Sequence, residues 1–121
     1  MKYQGLIWAG IFVQDLDTCL SFYKDVLGLS LLDKGDDWAH FDSGAGTLLE
    51  LFTGGKAAQE PKGPDQQSIR LGLRVANLDS AVAELKQKGV HFTDDAGEYE
   101  GTRWAHFVDI EGNGLEIKEA P

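Results

Sequence analysis

The tetrapeptide Trp-Ala-His-Phe occurs twice in this chain, beginning at Trp38 and at Trp104. Each copy is followed, twelve residues after its tryptophan, by a glutamate inside a short apolar run, Glu50 in the first copy and Glu116 in the second. A chain that repeats a motif at matched spacing is expected to repeat the local fold as well. Equivalent side chains then recur at equivalent positions of two modules.

A second repeated motif lies upstream of each tetrapeptide. Val13 opens the sequence Val-Gln-Asp-Leu-Asp, and Val75 opens Val-Ala-Asn-Leu-Asp. These copies are 62 residues apart, whereas the two tryptophans are 66 apart, so the second copy has gained four residues in a loop. We therefore expect a single domain over 1–121, with repeated modules near 4–53 and 68–119. The linker 54–67 is rich in Gly, Pro, Gln and charge, which predicts mobility.

The hydrophobic pattern of each module predicts the order βαβββ. Helical spacing of apolar residues indicates one helix from Leu16 to Leu27, with Asp17 as N-cap and Gly28 just beyond its end, and a second that ends near Gly89. Strands are predicted over 5–13, 29–33, 38–42, 47–52, 69–75, 90–93, 103–108 and 115–118. The predicted class is α+β, with paired βαβββ modules forming a curved mixed sheet around a cleft and the helices outside.

Composition excludes some functions. The formal charge of −9 argues against a nucleic-acid partner, because phosphate binding needs clustered Lys and Arg. No apolar run is long enough for a membrane span, and the N-terminus lacks a signal-peptide pattern, so we expect a cytoplasmic protein with no membrane partner. The single cysteine, Cys19, cannot form an intrachain disulfide and is expected in the core.

Two stretches resemble the vicinal oxygen chelate superfamily, which includes glyoxalase I, extradiol dioxygenases, and fosfomycin- and bleomycin-resistance proteins. The first runs from Val13 to Leu29 and contains Phe-Tyr-x-Asp-x-Leu-Gly-Leu. The second, Asp109-x-Glu-Gly-Asn-x-x-Glu116, is similar to the closing Asp-Pro-Asp-Gly-Asn-x-x-Glu signature, with Ile110 and Glu111 departing from it. The resemblance implies the fold, but the superfamily contains several chemistries and also plain binding proteins.

The resemblance implies four metal-ligand positions, and these fall on Trp8, Glu50, Arg70 and Glu116. Both carboxylates are present, but an indole N–H and a guanidinium can only donate hydrogen bonds. We therefore expect no metal and no other cofactor. Arg70 is expected to form an ion pair with Glu50 or Glu116, or to receive an anionic group of a ligand.

Strand alternation places further side chains beside the two glutamates, and the resemblance implies that the residues ten and twelve positions before each glutamate also face the site. The expected ligand-binding set consists of Trp8, Phe12, Trp38, His40, Glu50, Phe52, Arg70, Trp104, His106 and Glu116. The three tryptophans either fill the core of a curved sheet or form an aromatic cage for a planar ligand. His40 and His106, with the two glutamates, are also candidates for acid–base catalysis or for a displaced metal site.

The first functional hypothesis is a metal-independent protein that binds or sequesters a small molecule, similar to bleomycin-resistance proteins. Its ligand would be planar and organic, neutral or cationic, and the resemblance implies a homodimer. The alternative is a glyoxalase-like lyase or isomerase that uses the histidines and glutamates, and whether the protein is an enzyme stays open. A third hypothesis is an interaction domain whose cleft is packed shut.

Overall fold

The computed structural model describes all of residues 1–121 and divides them into two compact units, Met1–Lys56 and Ala57–Pro121. The first unit contains β1 (Trp8–Val13), α1 (Leu16–Ser21), a π-helical segment (Phe22–Val26), β2 (Ser30–Lys34), β3 (Trp38–Asp42) and β4 (Leu48–Thr53). The second contains β5 (Leu71–Arg74), α2 (Leu78–Gln87), β6 (His91–Phe92), β7 (Gly97–Tyr99), β8 (Thr102–Val108) and β9 (Gly114–Glu119).

Each unit contains one mixed sheet, and the two sheets share a strand order. The first sheet runs β1-β4-β3-β2 and the second β5-β9-β8-β6, with β7 also paired to β8. In both, the first strand of the unit lies parallel to the last one, and the remaining pairs are antiparallel. The predicted α+β class and the mixed character of the sheets are confirmed.

The strand registers repeat as well. Glu50 pairs with His40 on one neighbouring strand and with Gly10 on the other. Glu116 pairs in the same way with His106 and Gly72. The repeated sequence motifs therefore occupy equivalent positions in the two units, on the last strand and on the strand before it.

One face of the first sheet is buried against its helix. Phe41 and Leu51 are fully buried, as are Cys19 on α1 and Tyr23 just after it. The rings of Tyr23 and Phe41 lie 6.3 Å apart. Removing these apolar side chains from water stabilises the unit. Because side chains alternate along a strand, the residues between them, including His40 and Glu50, point to the opposite face.

The second unit is built in the same way. Phe107 and Leu115 are fully buried on the sheet, and Leu78 is fully buried on α2. The Phe92 and Phe107 rings lie 5.7 Å apart. Burial of this face leaves the alternate residues of β8 and β9 on the other face of the second sheet.

The N-terminus of the first helix differs from the prediction. Asp15, and not Asp17, is the N-cap, since its Oδ1 accepts a hydrogen bond from the Thr18 backbone N–H at 3.2 Å. Hydrogen bonding by Thr18 lowers the pKa of the Asp15 carboxyl. Gly28 has a φ of +77°, which suits its predicted place just beyond the helical segment.

The segment between the predicted modules makes contacts that a free linker would lack. Ala58 donates a backbone hydrogen bond to the Glu111 carbonyl at 2.9 Å, and Lys62 donates one to Gly112 at 2.9 Å. The Gln67 side chain accepts from the Gly114 backbone N–H at 2.6 Å. This part of the segment is therefore attached to the turn that precedes β9. No helix of the chain has the length and apolar character needed to cross a membrane.

Candidate functional site

The open face of the first sheet is centred on Glu50. The Trp8 indole N–H donates a hydrogen bond to Glu50 Oε1 at 3.0 Å, and His40 Nε2 lies 3.2 Å from the same oxygen. The side chains of His40 and Glu50 are 32% and 22% exposed. This carboxylate is therefore held by two neighbouring nitrogens while remaining accessible to a ligand.

Aromatic rings lie on the same face of the sheet as this carboxylate. The Trp38 ring lies 4.6 Å from the His40 ring, and Phe52 lies 6.2 Å from Trp8 and 4.0 Å from Phe12. Trp8 and Phe12 are half-exposed or more, at 47% and 57%. Partly exposed aromatic faces next to a polar group offer a stacking surface and a hydrogen-bonding partner to a flat molecule.

The open face of the second sheet carries a chain of polar contacts. His106 Nε2 lies 2.9 Å from Glu116 Oε1, and His106 Nδ1 lies 3.1 Å from Asp94 Oδ2. The Lys118 ammonium is 3.1 Å from Glu116 Oε2 and 5.6 Å from the centre of the Trp104 ring. Glu116 is therefore neutralised by a lysine, whereas Glu50 has only the Trp8 and His40 nitrogens as partners.

Each tryptophan ring on these faces lies against a glycine. A methyl group at Gly10 would fall 2.6 Å from Trp8 Cζ2. One at Gly35 would clash with the Trp38 indole, and one at Gly97 with the Trp104 indole. The three indoles can occupy their observed positions because these neighbouring residues lack a side chain.

Of the ten residues expected to bind a ligand, six lie on the open face of the first sheet and three on the open face of the second. The tenth, Arg70, is exposed and precedes β5, with its guanidinium beside Gly114. Within the chain, Arg70 forms the expected ion pair with neither Glu50 nor Glu116, and Lys118 is the residue that pairs with Glu116. The spacing of Lys118, two residues after Glu116 on one strand, is the sequence signal for this contact.

Asp94 and Gly97 contribute to the second face and were not among the expected residues. Asp94 contacts His106, and Gly97 lies in β7, which pairs with the Trp104 end of β8. No strand was predicted at β7, because a strand of three residues carries too little pattern to recognise. A separate cavity of about 340 Å³ in the second unit is lined by Ala58, His91 and Gly112 among others, and Trp104, His106 and Glu116 are not part of its lining.

The residues at the implied metal positions do not fit a metal. Trp8 donates its N–H to Glu50, and neither this indole nor the Arg70 guanidinium has a lone pair to offer a metal, so only the two carboxylates of the implied set could act as ligands. The displaced site fits no better, since both ring nitrogens of His106 are turned toward carboxylates. We assign no metal-dependent step to these residues.

Comparison with known proteins places the chain in a family. The sequence profile of the Glyoxalase/Bleomycin resistance protein/Dioxygenase superfamily matches residues 5–117. The uncharacterized protein YraH of Bacillus subtilis (strain 168) is 32% identical, with 93% of this chain and 95% of YraH covered. The crystal structure of TnmS3, an antibiotic binding protein from Streptomyces sp. CB03234, is 26% identical with a TM-score of 0.76, covering 100% of this chain and 99% of TnmS3.

A glyoxalase/dioxygenase from Nostoc punctiforme has a TM-score of 0.81 at 21% identity, covering 98% of this chain and 92% of its own. At this identity the likeness concerns the fold alone. The profile match extends over nearly the whole length, including both tryptophan motifs and Glu116. The chain belongs to the Glyoxalase/Bleomycin resistance protein/Dioxygenase superfamily.

Proposed function

We propose that this protein binds a planar aromatic small molecule on the open faces of its sheets and releases it chemically unchanged. Trp38, His40 and Glu50 define one of these tryptophan–histidine–glutamate faces, and Trp104, His106 and Glu116 define the other. The observation that carries the proposal is the arrangement around Glu50, where partly exposed aromatic rings lie beside an accessible carboxylate. The likeness to TnmS3, an antibiotic binding protein, supports small-molecule binding as the function.

Stacking and hydrogen-bonding contacts of this kind can supply the free energy that micromolar binding requires. A well-placed aromatic pair contributes about 0.5–1.5 kcal/mol beyond the burial of its area. Burying the apolar surface of a flat ring system adds about 25 cal/mol per Å² before the entropic costs of binding are subtracted. Together with a hydrogen bond to Glu50, two or three stacking contacts can approach the roughly −8 kcal/mol that micromolar affinity requires.

Acridine is a suitable probe, because it is flat, aromatic and uncharged in mildly alkaline buffer. We expect isothermal titration calorimetry to give a dissociation constant on the order of micromolar. The apolar cage compound 1-adamantanol should bind far more weakly, since it cannot stack on an indole. Chromatography of the recovered acridine should show no conversion. Absence of binding heat with acridine, or equal binding of the cage compound, would contradict the proposal.

A lyase- or isomerase-type reaction is the second candidate, and one observation favours it. His106 lies between Asp94 and Glu116 at 3.1 and 2.9 Å, so an imidazole and a carboxylate, the groups that general acid–base catalysis uses, lie within hydrogen-bonding distance of each other. Chemical conversion of a bound molecule by the wild-type protein, lost in His106→Gln, would replace the binding proposal with this one.

We also propose that the protein forms a homodimer. β1 and β5 are edge strands of their sheets, and the residues that lead into them are strongly exposed, with Ile7 at 80% and Ile69 at 72%. Exposed apolar side chains beside an unpaired strand edge favour association. Sedimentation velocity should give twice the mass of one chain, and Ile7→Lys should shift the protein toward the monomer. A monomeric wild-type protein at micromolar concentration would exclude a stable dimer.

A further inference from the structure

Lys118 distinguishes the two tryptophan–histidine–glutamate faces from each other. In the first unit, Trp38 on β3 pairs with Phe52 on β4. At the equivalent place in the second unit, Trp104 on β8 pairs with Lys118 on β9. The repeated fold therefore places a phenyl ring on one face where it places an ammonium group on the other.

The Lys118 ammonium occupies the position that a cationic ligand would seek on the second face. It lies 5.6 Å from the centre of the Trp104 ring and 3.1 Å from Glu116 Oε2. These are the cation–π and charge–charge contacts by which an aromatic, acidic site attracts a positive group. Asp94 adds a carboxylate nearby, but it lies on the other side of the His106 ring and is 56% exposed, so water screens its charge.

The first face has no such internal cation. Glu50 accepts from the Trp8 indole and contacts His40, and it forms no ion pair with a lysine or arginine. A positive ligand group that approaches Glu50 therefore meets a carboxylate that no lysine or arginine side chain has already neutralised.

We propose that Lys118 sets the charge selectivity of this protein. Its ammonium disfavours a planar cation at the second face, so that a bound planar cation places its charge at Glu50 on the first face. This inference rests on the proposed function and adds to it the charge of the ligand that each face accepts.

The test compares acridine with N-methylacridinium, which has the same ring system and a permanent positive charge. Calorimetric titrations use the wild-type protein, Lys118→Met and Lys118→Arg. Removing the charge in Lys118→Met should raise the affinity of the second face for N-methylacridinium about tenfold and so add a second binding site for the cation, and should change the affinity for acridine by less than about twofold. Lys118→Arg keeps the charge and should retain the wild-type preference. Glu50→Gln should lower the affinity for N-methylacridinium about tenfold.

The outcomes separate this inference from the proposed function. If acridine binds but Lys118→Met adds no second binding site for N-methylacridinium, the role of Lys118 is wrong and the binding function stands. An unchanged affinity of Glu50→Gln for the cation would contradict the placement of charge at Glu50. If the wild-type protein binds neither compound, the proposed function fails and this inference fails with it. Thermal unfolding of each variant checks that the fold is retained.

Discussion

Replacing Asp109 by alanine is expected to destabilise the protein by about 3–5 kcal/mol. Asp109 is only 4% exposed. Its Oδ1 accepts from the backbone N–H groups of Glu111 and Asn113 at 2.8 and 3.0 Å, and its Oδ2 accepts from the Asn113 side chain at 2.9 Å. Removal of this carboxylate leaves three buried donors unsatisfied, in the turn that leads into β9 and thus positions Glu116.

Two further variants make the measurement specific. Asp109→Asn keeps an oxygen for the two backbone donors but places an amide group opposite the Asn113 amide, so it should lose about half as much stability as the alanine variant. Ile110→Ala changes the neighbouring residue, which is 47% exposed, and should cost less than about 1 kcal/mol. Urea unfolding measures the free energy of unfolding of all three variants. A loss below about 1 kcal/mol in Asp109→Ala would show that the turn does not depend on this carboxylate.

Replacing both Trp38 and Trp104 by alanine is expected to weaken acridine binding on both faces at least about tenfold, equivalent to about 1.4 kcal/mol. On each face the indole should contribute stacking and buried apolar area, so each single variant should weaken acridine binding about tenfold on its own face. Both rings are only partly buried on the open faces, so their removal should leave the cores around Phe41 and Phe107 intact.

Calorimetry of the single and double variants measures this loss, and Ile110→Ala is the control for a substitution outside the faces. A loss of acridine affinity in only one of the two single variants would assign binding to the face that carries that tryptophan. Unchanged affinity in the double variant, with a normal unfolding transition, would place the acridine site elsewhere in the protein.

The sequence was sufficient to predict the parts of the fold that depend on local repetition. Strand β3 begins and ends at the predicted residues, Trp38 and Asp42. The spacing of twelve residues between Trp38 and Glu50 is the spacing needed for β3 and β4 to pair so that His40 lies opposite Glu50. Alternation along these two strands then places both side chains on the open face.

Residue type alone could not predict the contacts for which two similar residues were available. Asp15 and Asp17 are both good N-caps by type, and only the observed start of α1 distinguishes them. Arg70 and Lys118 were both available cations for Glu116. Lys118 forms the pair because it lies on the same face of the same strand as Glu116, whereas β5 begins after Arg70.

A crystal structure of the protein grown with acridine tests the central claim most directly. We predict acridine stacked on the Trp38 or Trp104 indole, within contact distance of the His–Glu pair on the same face and with its ring system intact. Acridine bound instead in the cavity beside His91 and Gly112, with both indole faces unoccupied at saturating ligand, would contradict the assignment of these faces as the binding site.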